Sequence, residues 1–402
     1  MLSKTNLYDR LLFLLIVCSA FGNIGEIFSP LLLLVVAISP FVFGLHKPSL
    51  INKGMVISAI ILTYLFISLM WVPNTSRGLI YLLRIALNFL AGIEILILTF
   101  HARRPLISIS YGWLIAFSLT AIIAVWELNT DHHLFNAKII DIERVSEFGT
   151  FDRYYACVTF YNPNTYSLFV IMAFPFILYL MQEHLGKIKS LLFYVLVIII
   201  LIYIVLKNGS RGCFISLSIM FITYFLRNIR SNRKGIVFFL TIILLIWFDF
   251  KGNELFDVIE YRNQTSGLVE DAVRPLLWQS SWDLFLFSYG FGQGCGSMVD
   301  VMHNYRGNVT PVDYCHNLFL ELLLTGGVLV GFFYLYYILF ILKRSIKMKN
   351  KSRKIVLLGS LLSLPVYGVV NSQYIYPTFI WVFFVSLYVF AFPISGRYWA
   401  NN

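Results

Sequence analysis

Apolar runs alternate with short polar breaks along the whole chain, and most are long enough for the ~30 Å hydrocarbon core of a bilayer. The pattern predicts about twelve transmembrane helices, near 11–28, 31–45, 55–72, 79–100, 107–127, 165–182, 190–206, 213–227, 236–250, 316–342, 355–371 and 375–395. Pro30, Pro40, Pro105, Pro175, Pro365 and Pro377 punctuate or kink these runs, as membrane helices tolerate. The expected fold is all-α: one polytopic membrane domain over residues 1–402. Two longer polar stretches interrupt it, 128–164 and 251–315. The second, between spans 9 and 10, contains "EDAVRPLLWQSSWDLFLF", which predicts an interfacial helix near 271–287 with Asp271 as N-cap and Pro275 in its first turn.

Charge then orients the frame. One set of alternate loops, with both termini, holds about twenty of the 31 basic residues, including the dense "KRSIKMKNKSRK" at 343–354. The other set holds most of the acids. By the positive-inside rule both termini are cytoplasmic and the two long loops face outward. Composition agrees: 59% of residues are hydrophobic and only 13% charged, where a soluble chain has about a quarter charged. The net charge of +11 reflects this orientation signal, so nucleic acid is not an expected partner. No small-x-small cleavage site precedes Pro30, so the first run is expected to remain as a span. The five cysteines show no CxxC spacing, which argues against zinc. Cys295 and Cys315 share the second outer loop, where a disulfide is an open possibility.

Four outward stretches carry candidate chemistry. "DRYYACVTFYNPNTYSLF" (152–169) contains Arg153 and Asn164. "VLKNGSRGCFISL" (205–217) sets Arg211 at a helix start. The loop helix carries Arg274. "YCHNLFLELLLTGGVLVG" (314–331) opens a span at His316 and Asn317, with Glu321 one turn inside. Taken singly, each arginine reads as a headgroup anchor and the histidine as an interfacial cap. Taken together, guanidinium groups that never lose charge can fork across phosphate oxygens. A helix N-terminus adds to that grip. A neutral histidine beside them can accept a proton from an attacking hydroxyl. This set suits group transfer from a phosphate-activated donor. "SYGFGQGCGS" (288–297) has G-x-G-x-G-x-G spacing after a helix, so a dinucleotide fingerprint is rejected. Tight backbone approach to a ligand or to helix ends is the better use of its glycines. The Gly326, Gly327 and Gly331 cluster reads most simply as close helix packing.

The ordered stretches "FYNPNTYSLF", "NGSRGCFISL", "RPLLWQSSWDLFLFSYGFGQGCGS" and "CHNLFLELLLTGGVLVG" resemble the O-antigen ligase and polymerase superfamily over roughly residues 125–345. "WELNTDHHL" (126–134) is similar to a stretch of its capsule-type members. The resemblance implies a metal- and cofactor-independent glycosyltransferase of the membrane C type in the bacterial inner membrane, active on its outer face. Its implied donor is an undecaprenyl-pyrophosphate-linked oligosaccharide, its acceptor a glycan or lipid A-core, and a chain-length regulator is an implied partner. Carried over by motif, Arg211 and Arg274 hold the pyrophosphate, with Arg153 a weaker third. His316 is the base, Asn317 places it, and Asn164 and Glu321 support the site. Polymerase is slightly favoured over ligase. A polysaccharide flippase or other transporter is the alternative, since "NTSRGLI" (74–80) echoes "NGSRGCF" (208–214) as an internal repeat would.

Overall fold

The structure is a computed structural model. It describes residues 6–21, 24, 29–45, 52–130, 132–135, 155–184, 188–228, 267–306, 314–369 and 374–392. Thirteen α-helices and one short 3-10 turn, and no strand, occur among them. In chain order they are α1 (Leu7–Cys18), α2 (Pro30–Gly44), α3 (Asn52–Ser68), α4 (Thr75–His101), α5 (Pro105–Thr130), α6 (Pro163–His184), α7 (Ile188–Lys207) and α8 (Arg211–Asn228). Then come α9 (Gly267–Phe287), α10 (Met298–Arg306), α11 (Leu318–Lys347), α12 (Lys351–Tyr367) and α13 (Thr378–Ala391). By length and composition α4, α5, α6 and α11 can cross a bilayer, and α2, α13 and the apolar parts of α3 and α7 are shorter apolar helices. The described residues are thus all-helical, as a membrane-embedded protein would be.

Three expectations change. The first span ends early, at Cys18 and a 3-10 turn over Ser19–Phe21, before Gly22 and Asn23, which are poor helix formers. The loop helix starts at Gly267, so Asp271 and Pro275 lie inside it and neither marks its first turn. The short helix α10 was not foreseen. The span expected at 236–250 lies outside the described residues.

The chain divides into two compact units. The first comprises Met1–Gly112, Val273–Arg344 and Asn371–Asn402, and the second Trp113–Ala272 and Ser345–Val370. In the first, α4 is the hub, packed by α1, α2, α3 and α13. Its neighbour α1 opens on a capping box between Asn6 and Asp9. The buried Asp9 carboxylate also accepts the Arg104 N–H at 2.9 Å and the Ser108 hydroxyl at 3.1 Å. One acid therefore satisfies orphan donors at the starts of two helices. In the second unit, α12 packs on α6 and α8, and α6 is buried along nearly its whole length. Trp113 stacks on Phe176 with centroids 5.4 Å apart.

Candidate functional site

The start of α11 is built from below. Cys315 is fully buried in a cluster with Leu277 and Leu284 of α9 and Met298 and Met302 of α10. Ser281 Oγ lies 3.0 Å and Met298 Sδ 3.5 Å from its sulfur. Cys315 and Cys295 are both free thiols, so the disulfide left open by the sequence is not formed. Burial pushes the Cys315 thiol up to about 12, leaving it a packing group at neutral pH.

Directly after this anchor, His316 sits at φ +48°, a left-handed conformation that costs a non-glycine residue roughly 1–2 kcal/mol. Asn317 then caps α11: its Oδ1 accepts the N–H groups of Phe319 at 3.0 Å and Leu320 at 3.2 Å. The turn holds the imidazole half-buried, with Nδ1 buried and without a hydrogen-bond partner. Burial first, and the field of Arg274 second, lower His316 from 6.5 to about 4. The ring is therefore neutral at physiological pH, as a proton acceptor must be. Glu321 faces inward, and its Oε1 accepts the Ile375 N–H at 3.1 Å, tying α11 to the segment before α13.

The glycine-rich loop fills the space beside this start. Gly290, Gly292, Gly294 and Gly296 all have positive φ. A Cβ on Gly292 would lie 2.6 Å from the Gly327 nitrogen, and one on Gly294 2.9 Å from the Ser68 carbonyl. The loop backbone bonds α11 through Gln293 N–H to Leu324 O (2.6 Å) and Val328 N–H to Gly290 O (2.9 Å). Trp71 Nε1 donates to Gly292 O at 3.1 Å, and Cys295 N–H to Ser68 Oγ at 3.1 Å. Of the two expected uses of these glycines, approach to helix ends is the one observed. Gly327 is not a helix-packing glycine; it breaks α11 at φ 64°, ψ −163° to receive the loop. The Rossmann reading stays excluded.

In the second unit, Arg211 is the first residue of α8. The hinge before it is pinned by buried Asn208. Its Oδ1 accepts the Ala156 N–H at 2.9 Å, and its Nδ2 lies within 3.0 to 3.3 Å of Ala156 O, Ser167 Oγ and Pro163 O. The same 155–162 loop is gripped from α5 by Glu127, which is fully buried. Its Oε2 accepts the N–H groups of Cys157 (2.7 Å) and Val158 (2.9 Å), and lies 3.4 Å from His133 Nδ1. Val158 and Tyr161 are held at positive φ, strain that these grips sustain. The cap of α6 is Asn162, whose Oδ1 accepts the Asn164 and Thr165 N–H groups. Asn164 itself enters through its backbone. Arg153 lies outside the described residues.

His316, Asn317, Arg274 and Glu321 thus belong to one compact unit, and Arg211 and Asn164 to the other. Sequence reasoning passed over Glu127 and Asn208 as site-building residues, although both stand in quoted stretches. A lone carboxylate ending an apolar run was the available signal for Glu127. The second "SRG" diverges in use: Arg77, at the start of α4, pairs with Asp300 of α10 at 2.5 Å. Its charge is met by an acid.

The described residues, all helical and with several helices long and apolar enough to cross a bilayer, define a class, the polytopic membrane proteins. Residues 195–335 match the family model described as O-Antigen ligase. The chain is also 23% identical to the teichuronic acid biosynthesis protein TuaE of Bacillus subtilis (strain 168), covering 98% of this chain and 86% of that protein. Together these similarities place the chain's likeness with the O-antigen ligase and polymerase superfamily, and support a membrane enzyme of surface-polysaccharide biosynthesis.

Proposed function

We propose that the protein transfers a glycan from an undecaprenyl-pyrophosphate carrier to an acceptor hydroxyl on the outer face of the cytoplasmic membrane, with both termini inside. His316 Nδ1 or Nε2 accepts the hydroxyl proton as the oxygen attacks the anomeric carbon. The bond from that carbon to the pyrophosphate breaks, and the leaving carrier keeps the electron pair. Arg274 balances the charge that builds on it, and Arg211 and Arg153 are carried from the sequence as further phosphate-binding cations. The observation that carries this reading is the half-buried His316, kept neutral beside Arg274 on a strained turn.

Polymerisation of lipid-linked repeats is favoured over transfer to lipid A-core. Likeness along nearly the whole chain to a teichuronic acid biosynthesis protein supports a polymer-forming role. The glycan profile of a deletion strain tests the choice. Single repeats on the final acceptor indicate a lost polymerase, and polymer stranded on undecaprenol indicates a lost ligase. Arg211→Ala, Arg274→Ala and His316→Ala should each reproduce the deletion phenotype with protein still in the membrane. If two of the three retained full glycan display, the catalytic assignment would be wrong. Unchanged polymer with altered export would instead favour a transporter.

A further inference from the structure

Glu127 is a fully buried acid near the C-terminal end of α5, a position that an apolar side chain ordinarily fills. Burying a charge is costly unless it is paired or hydrogen-bonded, so the partners of Glu127 identify its task. Its Oε2 accepts the Cys157 and Val158 N–H groups at 2.7 and 2.9 Å, and His133 Nδ1 stands 3.4 Å from the same atom. Val158 is β-branched and held at φ +50°, a conformation such residues rarely adopt. Strain of this kind persists where the surroundings over-determine it, and it gathers at functional sites. The start of α6 is already capped by Asn162, so the Glu127 grip is not needed to end the loop.

The held backbone meets the hinge before α8. Ala156, next to Cys157, exchanges both of its backbone groups with the Asn208 side chain, at 2.9 and 3.0 Å. Gly209 at φ +61° turns the chain, and Ser210 O accepts the Phe214 N–H at 3.0 Å, which leaves Arg211 as the first residue of α8. A continuous path of contacts therefore runs from Glu127 through 156–158 to Asn208 and on to Arg211, all of it within the second unit.

We propose that Glu127 is a positioning residue for Arg211. Its charge holds the 156–158 backbone, that backbone holds Asn208, and Asn208 sets where the guanidinium meets a pyrophosphate. This rests on the reading of Arg211 given above. Glu127 touches no substrate; it acts on donor affinity, because a misplaced guanidinium loses its two-pronged bond to phosphate.

Glu127→Gln keeps an acceptor oxygen and removes the charge assistance. The assay is purified full-length protein in nanodiscs with an undecaprenyl-pyrophosphate-linked repeat as donor. Glu127→Gln should raise the donor KM at least about fivefold and change kcat by less than about twofold. Combined with Arg211→Lys, its effect should be smaller than the product of the two single effects. Combined with Arg274→Lys, which lies outside the path, it should equal the product. A substitution that only destabilises the fold lowers the active fraction, so kcat falls at constant KM and both pairs multiply; that result overturns the proposal. Hydrogen exchange of the 207–211 hinge gives a readout that does not depend on turnover. Glu127→Gln should speed it at least about tenfold, and faster exchange confined to 155–162 overturns the proposal. Failure of the functional reading looks different: wild-type protein transfers nothing, and hinge exchange still rises in Glu127→Gln.

Discussion

Removing the charge of Arg274 should loosen its hold on His316 without freeing the ring from burial. The gap between 6.5 and about 4 corresponds to about 3.4 kcal/mol disfavouring the imidazolium. Burial is the larger cause and Arg274 the smaller, so Arg274 supplies less than half of it. Arg274→Gln keeps a long polar side chain while deleting the charge. The His316 midpoint should therefore rise but stay nearer 4 than 6.5. The measurement is ring NMR of histidine-labelled protein in nanodiscs, with His316→Gln identifying the resonance. Stability moves in a definite direction too. Between about 6.5 and about 4 the unfolded chain binds a proton that folded His316 refuses, so stability falls as pH falls through that window. Arg274→Gln should narrow the window from its acid end. An unchanged or lower midpoint would refute the electrostatic link between the two residues. A midpoint restored to 6.5 would refute burial as the larger cause.

Other outcomes follow from the same geometry. Arg211→Lys should lose most glycan display, because an ammonium cannot fork across two phosphate oxygens; full activity would make Arg211 a headgroup anchor. Gly292→Ala should lower the melting temperature, since a left-handed alanine costs roughly 1–2 kcal/mol even before its Cβ meets the Gly327 nitrogen. Asn208→Ala leaves buried Ala156 groups without partners, and should cost about 1–3 kcal/mol in stability together with glycan display. Asp300→Asn should change stability by less than about 1 kcal/mol, because the Arg77 pair is partly exposed.

Much of the helical frame was legible because hydrophobic length is a one-dimensional signal. The 79–100 and 165–182 spans appear as α4 and α6 within a few residues. His316 and Asn317 stood out for a similar reason, as a polar pair at the edge of an apolar run. The rest depended on contacts distant in sequence. Nothing local says that Glu127 meets the backbone of Cys157, or that Gly292 meets Gly327. The loop helix was misread at its start because Asp271 and Pro275 imitate a helix N-terminus that their own sequence neighbours extend past. Nothing in the "SRG" at 76–78 announces that Arg77 pairs with Asp300, more than two hundred residues on.

The first unit is assembled from three separated stretches of chain, and its last helix is α13. Phe89 of α4 waits for Trp381, and Glu321 waits for the N–H of Ile375. The opening helices leave the ribosome early yet stay incomplete until nearly the whole chain has been translated. A nascent chain halted after α12 would carry α4 and α11 but lack the Ile375 N–H that Glu321 binds and the Trp381 ring that packs on Phe89. Folding of the first unit would therefore be completed only once α13 has been inserted.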